Sequence, residues 1–208
     1  MRTLVIRFAR LMVVAVLSTL AVAGPVAARE PVDPSLLNPP PPDFFNATCF
    51  AGAGGTVCDL AFSDPTIEDD LSGIVCDGTE IHYSQDRSVI GKRFYDAGGN
   101  LIQRHFREDS AGTFTNPETG ALLAWIAQDT VLHNLAVPGD LATGTTSFTG
   151  TSMRVFHPGG STVLVDAGRV VLDAATEEIV ASHGPHHFDD YFARGDVHAL
   201  DAICDALS

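Results

Sequence analysis

The sequence predicts a mainly β fold: an antiparallel β-barrel or sandwich with a short C-terminal helix tied on by a disulfide. Short segments in which apolar and polar residues alternate recur along most of the chain. Turn-forming residues, chiefly glycine, proline, asparagine and aspartate, separate these segments. No helical pattern of ten to fifteen residues lies between them, as a parallel α/β sheet would require. Only the end of the chain changes to a helical period.

The first 28 residues are predicted to be a cleaved export signal. Three arginines lie within the first ten positions, and the apolar run 11–22 that follows is too short to span a bilayer. Val26 and Ala28 suit the −3 and −1 positions of a signal-peptidase site, with cleavage after Ala23 as the alternative. We therefore expect a secreted, extracellular protein without a stable membrane anchor.

Charge and length limit the partners and the number of domains. Without the signal, nine Lys and Arg residues face 26 Asp and Glu, a net charge of about −17. Such a surface repels phosphate backbones, so nucleic acid is not an expected partner. The four successive prolines at 39–42 predict an extended linker over residues 29–43. Residues 44–208 then form a single β-rich domain, and nothing indicates an oligomeric state.

The predicted strands are short and follow one another closely. They cover residues 57–62, 80–85, 92–97, 101–106, 112–116, 121–130, 147–151, 153–157, 162–166, 169–173 and 178–183. The predicted turns between them lie at 96–100, 116–120, 157–160 and 173–178. Glycine and asparagine in these turns permit positive φ. The acidic segment 63–73 has no calcium-loop spacing and is interpreted as a solvated loop.

The last fourteen residues, 195–208, predict a helix with Asp196 as its N-cap. Its apolar face would contain Val197, Leu200, Ile203, Cys204 and Leu207. An even number of cysteines in an exported chain favours disulfides. Three pairings are formally possible, and we prefer Cys76–Cys204, which ties the buried face of the helix to a strand end. Cys49–Cys58 would then close a small glycine-rich loop.

Several segments resemble a group of uncharacterised small exported β-rich proteins of high-GC Gram-positive bacteria. They are "CDGTEIHYSQ", "FYDAGGNLI", "TFTNPETG", "VLVDAGRVVLD" and "AICDAL", and they extend from Cys76 to the end of the chain. The resemblance implies a compact β domain behind a signal peptide, with Cys76 and Cys204 as its two characteristic cysteines. Residues 44–75 depart from that pattern. The resemblance implies no activity.

A cluster of histidines and aspartates in "SHGPHHFDDYF" (182–192) is a candidate metal site. The candidate ligands are His183, His186, His187 and Asp189. Pro185 favours an extended or turned backbone, in which neighbouring histidines point to opposite sides. A site would therefore need a further ligand, such as His133 or His157. We prefer the interpretation that this segment is a polar loop after the last strand.

Aromatic residues in the predicted strands suggest either a packed core or a ligand cavity. The candidates for a cavity lining are Phe94, Phe106, Trp125 and Phe156. Nucleophile and phosphate-binding motifs are absent. We therefore expect a soluble exported domain, not an enzyme, that needs no cofactor and binds a small apolar ligand or acts at the cell envelope. The alternative is a metal-dependent or cyclase-like barrel enzyme that uses His183, His186 or His187 with a divalent metal.

Overall fold

The structure, a computed structural model, describes residues 29–208. The predicted export signal, residues 1–28, lies outside the described residues. The strands are β1 (Pro31–Val32), β2 (Asn46–Gly52), β3 (Gly55–Ser63), β4 (Ile67–Cys76), β5 (Thr79–Tyr95), β6 (Leu101–Thr115), β7 (Leu122–Asn134), β8 (Thr145–Phe156), β9 (Thr162–Asp173) and β10 (Ile179–His183). The helices are α1 (His187–Phe192) and α2 (Asp201–Leu207), and Pro34–Leu36 forms one 3₁₀ turn.

These strands form one antiparallel sheet, which confirms the mainly β prediction. The order is β1-β2-β3-β5-β6-β7-β8-β9-β10, so most neighbours in the sheet are also neighbours in the chain. β5 is long enough to pair with β3 along its second half and with β4 along its first half. Within residues 29–208 the sheet is an open path from β1 to β10, with no pairing that joins its two ends.

Several strands are longer than the sequence pattern predicts. The predicted strands 80–85 and 92–97 fall within β5 except for residues 96–97, and 101–106 and 112–116 fall within β6 except for residue 116. The intervening residues look like loops because polar side chains occupy the positions where a half-buried strand usually has apolar ones. The acidic segment 63–73 is predicted to be a solvated loop, but most of it is strand. β4 begins at Ile67 and pairs with β5.

Gly150 and Gly168 allow a close approach of backbones where β8 pairs with β9. They face each other across the two strands, with φ values of 149° and 148°. A Cβ atom would lie 2.2 Å from the carbonyl oxygen of Gln128 at the first position and 2.0 Å from that of His183 at the second. Only glycine permits this approach, and the pairing register shifts directly after Gly150.

Two hydrophobic clusters lie on the same face of the sheet, which we call the inner face. Side chains alternate along a strand, and the odd-numbered residues of β5 and β7 and most even-numbered residues of β6 point to this face. The first cluster contains Ile74, Ile81, Phe114, Leu123, Trp125, Val155, Leu164, Leu200, Ile203 and Leu207. The second contains Leu37, Cys49, Cys58, Leu60, Val89, Tyr95, Leu101, Phe106 and Val131.

The segment predicted to be a linker, residues 29–43, lies against the sheet. Pro31 and Val32 pair with β2, and the side chain of Leu37 is buried in the second cluster. The hydroxyl group of Tyr95 donates a hydrogen bond to the carbonyl oxygen of Pro39 over 3.1 Å. Successive prolines offer no N–H, but their carbonyl oxygens remain available to side-chain donors. The prolines thus form a cover for one end of the inner face.

Two disulfides join Cys49 to Cys58 and Cys76 to Cys204, the pairing preferred from the sequence. The first links directly opposed residues of β2 and β3. The second joins the end of β4 to α2 across 128 residues of sequence, with 5.2 Å between the Cα atoms. The expected attachment of the C-terminal helix by a disulfide is therefore confirmed.

The C-terminal helix is shorter than predicted. α2 begins at Asp201, and Asp196 instead accepts a hydrogen bond from the backbone N–H of His198 in a preceding turn. Val197 is 67% exposed, whereas Leu200, Ile203 and Leu207 are buried. The helix therefore begins one turn later, and its apolar contact starts at Leu200.

Candidate ligand-binding face

A band of polar side chains crosses the middle of the inner face, between the two hydrophobic clusters. Its centre is Arg87 on β5, whose guanidinium donates to Asp64 Oδ2 over 2.8 Å and to Glu108 Oε2 over 3.0 Å. Desolvation by burial lowers the pKa of Arg87, but its two carboxylate partners outweigh burial and raise it overall. The charge of Arg87 is therefore balanced by two carboxylates of the same band.

A cavity of about 410 Å³ lies between this band and the second cluster. Its aromatic wall consists of Phe44, Phe45, Phe62 and Phe106. The rings of Phe45 and Phe106 stack with 5.7 Å between centroids, and Phe62 meets both Phe44 and Phe45 edge to face. Charged side chains line the remainder of the cavity, and its volume is within the range that small-molecule ligands occupy.

Two arginines, Arg93 and Arg104, line the same cavity. They are direct cross-strand partners on β5 and β6, and both point to the inner face. Arg93 is only 3% exposed; its Nη1 donates to the carbonyl oxygen of Pro40 over 2.9 Å, while its buried Nε has no hydrogen-bond partner within residues 29–208. Two positive charges therefore lie side by side beneath the aromatic wall.

Arg104 contacts a neutral histidine instead of a carboxylate. Its Nε and Nη2 donate to Nδ1 of His133 over 3.1 and 2.6 Å. Since Nδ1 accepts, the proton lies on Nε2, which donates to the carbonyl oxygen of Thr143 over 2.9 Å. Burial lowers the pKa of His133, the bond to Thr143 opposes this, and the charge of Arg104 lowers it further. His133 thus orients Arg104 without neutralising it.

Two carboxylates on the inner-face side of the sheet, Asp129 and Asp189, have raised pKa values. Burial raises the pKa of Asp129 on β7, and the charges of Glu108 and Asp189 add to the effect. Its buried Oδ1 atom has no partner among the described residues. Burial also raises the pKa of Asp189 on α1, against the opposing effect of His186. These groups therefore hold protons more tightly than ordinary aspartates.

The histidine cluster proposed from the sequence is divided among separate contacts. His187 Nδ1 lies 2.6 Å from Asp166 Oδ1, and His186 Nε2 lies 3.1 Å from the carbonyl oxygen of His183. Nδ1 of His186 is 3.8 Å from Asp189 Oδ2. Residues 29–208 contain no group of three or more His, Cys, Asp or Glu side chains arranged to hold a metal ion.

The histidines lie where β10 ends and α1 begins, whereas the sequence pattern predicts an extended or turned polar loop. α1 begins at His187, directly after Pro185 and His186. Asp166, which is 1% exposed on β9, accepts hydrogen bonds from the backbone N–H groups of His187 and Phe188 over 2.9 and 2.8 Å. This buried carboxylate supplies the cap that the local sequence lacks.

The four aromatic residues proposed as a cavity lining do not come together. Phe106 lines the 410 Å³ cavity, while Trp125 lines a separate crevice of about 230 Å³ beneath α1. Phe94 and Phe156 alternate with inner-face residues and so belong to the opposite face, where Arg154 lies over the ring of Phe156. Phe106 is thus the one member of the proposed set beside the two arginines.

The sequence reasoning missed Arg93 and Arg104, although a signal for them exists. Arg93 lies in phase with Val89 and Tyr95, which are buried residues of the same strand. A charged residue at such a position indicates either a buried ion pair or a binding site. The break that was predicted between the two halves of β5 concealed this phase.

Comparisons of the chain with protein-family models, with curated proteins and with solved structures find no match. None of the helices in residues 29–208 has the length and hydrophobicity required to span a bilayer.

Proposed function

We propose that this chain is an exported binding domain that holds a small apolar ligand in the 410 Å³ cavity of the inner face. The observation that carries the proposal is the aromatic wall formed by Phe44, Phe45, Phe62 and Phe106 around that cavity. Aromatic side chains present large apolar surfaces that lose little conformational freedom on binding. No catalytic step enters this proposal.

The open sheet leaves a side from which a ligand could enter this cavity. In our proposal the curved sheet acts as an incomplete barrel, and the segment 29–45 covers its open side. That segment supplies two of the four aromatic residues, and Phe44 remains 59% exposed. A large aromatic side chain exposed beside a cavity gains burial when a ligand fills the space. The ligand would thus be held between the sheet and its N-terminal cover.

Two disulfides in one small domain support export, because disulfides persist in oxidising compartments. We expect protein recovered from the medium to begin at Arg29, after cleavage behind Ala28. Amino-terminal sequencing of the secreted protein measures this directly. Material that retains Met1 would contradict the export part of the proposal.

Ligand binding can be tested with a neutral apolar fluorophore, N-phenylnaphthylamine, whose emission rises when it leaves water. We expect saturable binding and a loss of about tenfold in affinity in Phe62→Ala, which removes one side of the wall. Phe94→Ala is the matched control, since Phe94 lies on the opposite face. An absence of saturable binding, or equal losses in both variants, would refute the proposed cavity.

A further inference from the structure

The pair Arg93 and Arg104 has an unusual charge balance. Among the ion pairs formed by residues 29–208, none joins a carboxylate to either arginine, whereas the nearby Arg87 has two carboxylate partners. The chain has 26 acidic residues against 12 basic ones, so carboxylates are plentiful. Two like charges, that of the buried Arg93 and that of the half-buried Arg104, nevertheless lie side by side without a carboxylate partner.

The electrostatic consequence is visible in Arg104. Burial lowers its pKa, and the charge of Arg93 lowers it further. Guanidinium groups remain protonated in proteins, so the pair keeps two positive charges. Buried charges without partners are costly unless an opposite charge compensates them. An anion in the cavity would compensate both.

We infer that the ligand is an organic carboxylate whose acid group binds Arg93 and Arg104 and whose apolar body lies against the phenylalanine wall. This inference rests on the proposed function and adds the chemical class of the ligand. The planar fork of a guanidinium matches the two oxygens of a carboxylate. Arg93 lines the cavity, and its buried Nε has no hydrogen-bond partner among residues 29–208. Acid group and apolar body are thus recognised by adjacent parts of one site.

Neighbouring groups fix the position of the arginine pair. Arg93 is held by the carbonyl oxygen of Pro40, and Arg104 is held by His133. Both partners are uncharged acceptors, so they orient the guanidinium groups while leaving their charge available. The carboxylates of Asp64 and Glu108 also line the cavity, but Arg87 engages them. The positive end of the cavity is therefore set in place before a ligand arrives.

The test compares dodecanoate with dodecanol by isothermal titration calorimetry at pH 7. The two probes share one apolar chain and differ in the charged head group. We expect dodecanoate to bind at least about tenfold more tightly, since hydrogen bonds to charged groups are stronger than those to neutral ones. Arg104→Gln should remove this preference and leave dodecanol binding unchanged. Arg107→Gln, an exposed arginine on the opposite face of the same strand, is the matched control and should keep it.

Each outcome bears on one of the two proposals. Equal binding of the two probes, or a preference that survives Arg104→Gln, would overturn the carboxylate inference while leaving an apolar cavity. An equal loss in Arg107→Gln would overturn it as well, because the effect would then be one of overall charge. If neither dodecanoate, nor dodecanol, nor the neutral fluorophore binds, the proposed function itself is overturned. If Arg104→Gln does not fold, Arg104→Lys keeps the charge without the fork and should weaken dodecanoate binding alone.

Discussion

Removing the disulfide between Cys76 and Cys204 should destabilise the domain more than removing the one between Cys49 and Cys58. A crosslink stabilises mainly by restricting the unfolded chain, and the restriction grows with the length of the closed loop. The sequence separations are 128 and 9 residues. The chain-entropy relation then gives about 5 kcal/mol for the long loop and about 2.6 kcal/mol for the short one.

The structure makes this a favourable comparison. Cys49, Cys58 and Cys76 are all at most 6% exposed. Alanine is therefore a better replacement than serine, which would bury a hydroxyl group. Ile203 and Leu207 pack in the first cluster and should keep α2 in place without the bridge. The folded state of both variants should therefore persist, and the difference should arise in the unfolded chain.

The assay is equilibrium urea unfolding of two double variants, Cys76→Ala with Cys204→Ala and Cys49→Ala with Cys58→Ala. We expect the first to lose about 2 kcal/mol more of the free energy of unfolding than the second. Far-UV circular dichroism before unfolding checks that both begin with the same sheet. Equal losses, or a greater loss from the short bridge, would refute the argument from loop length.

Three further changes test the packing and the charges. Leu200→Ala should cost about 2–5 kcal/mol in urea unfolding because Leu200 is buried, whereas Val197→Ala, at an exposed position, should change stability by less than about 0.5 kcal/mol. Deletion of residues 29–43 should lower the free energy of unfolding by about 1.5–3 kcal/mol, because the burial of Leu37 is lost. An unchanged melting temperature would mean that this segment does not pack against the sheet. Asp129→Asn should stabilise the domain by up to about 1 kcal/mol at pH 7, since burial penalises the carboxylate there. This gain should shrink as the pH falls through the raised pKa of Asp129 and disappear below 3.8, where Asp129 is protonated in both states. A gain that persists there would contradict the assignment.

Turn chemistry and the helical period were good guides to the fold. The turns predicted at 96–100 and 116–120 separate strands of the sheet, and Leu200, Ile203 and Leu207 form the buried face of the terminal helix. The alternating pattern failed in the middle of the long strands. Arg87 and Glu108 point to the inner face there, so the sequence looked like loops where the sheet continues.

The candidate site was less accessible to sequence reasoning. The sequence predicts Phe106 as a cavity residue, but its neighbours Phe45 and Phe62 come from the predicted start of the domain and from another strand. The arginine pair depends on the register that sets Arg93 opposite Arg104, and one sequence does not specify that register. Buried charges are rare enough that their phase within a strand should be examined first.

The two crosslinks differ in when they can form. Cys49 meets Cys58 as soon as β2 and β3 close their hairpin, an event of microseconds that involves only neighbouring residues. Cys76 and Cys204 are 128 residues apart in the sequence, and α2 packs against β4, β7 and β9, so we expect this pair to meet only after the sheet has assembled. Oxidative refolding should therefore pass through a species with one closed ring and two thiols. The thiols of that species would report when the hydrophobic cluster beneath α2 becomes complete.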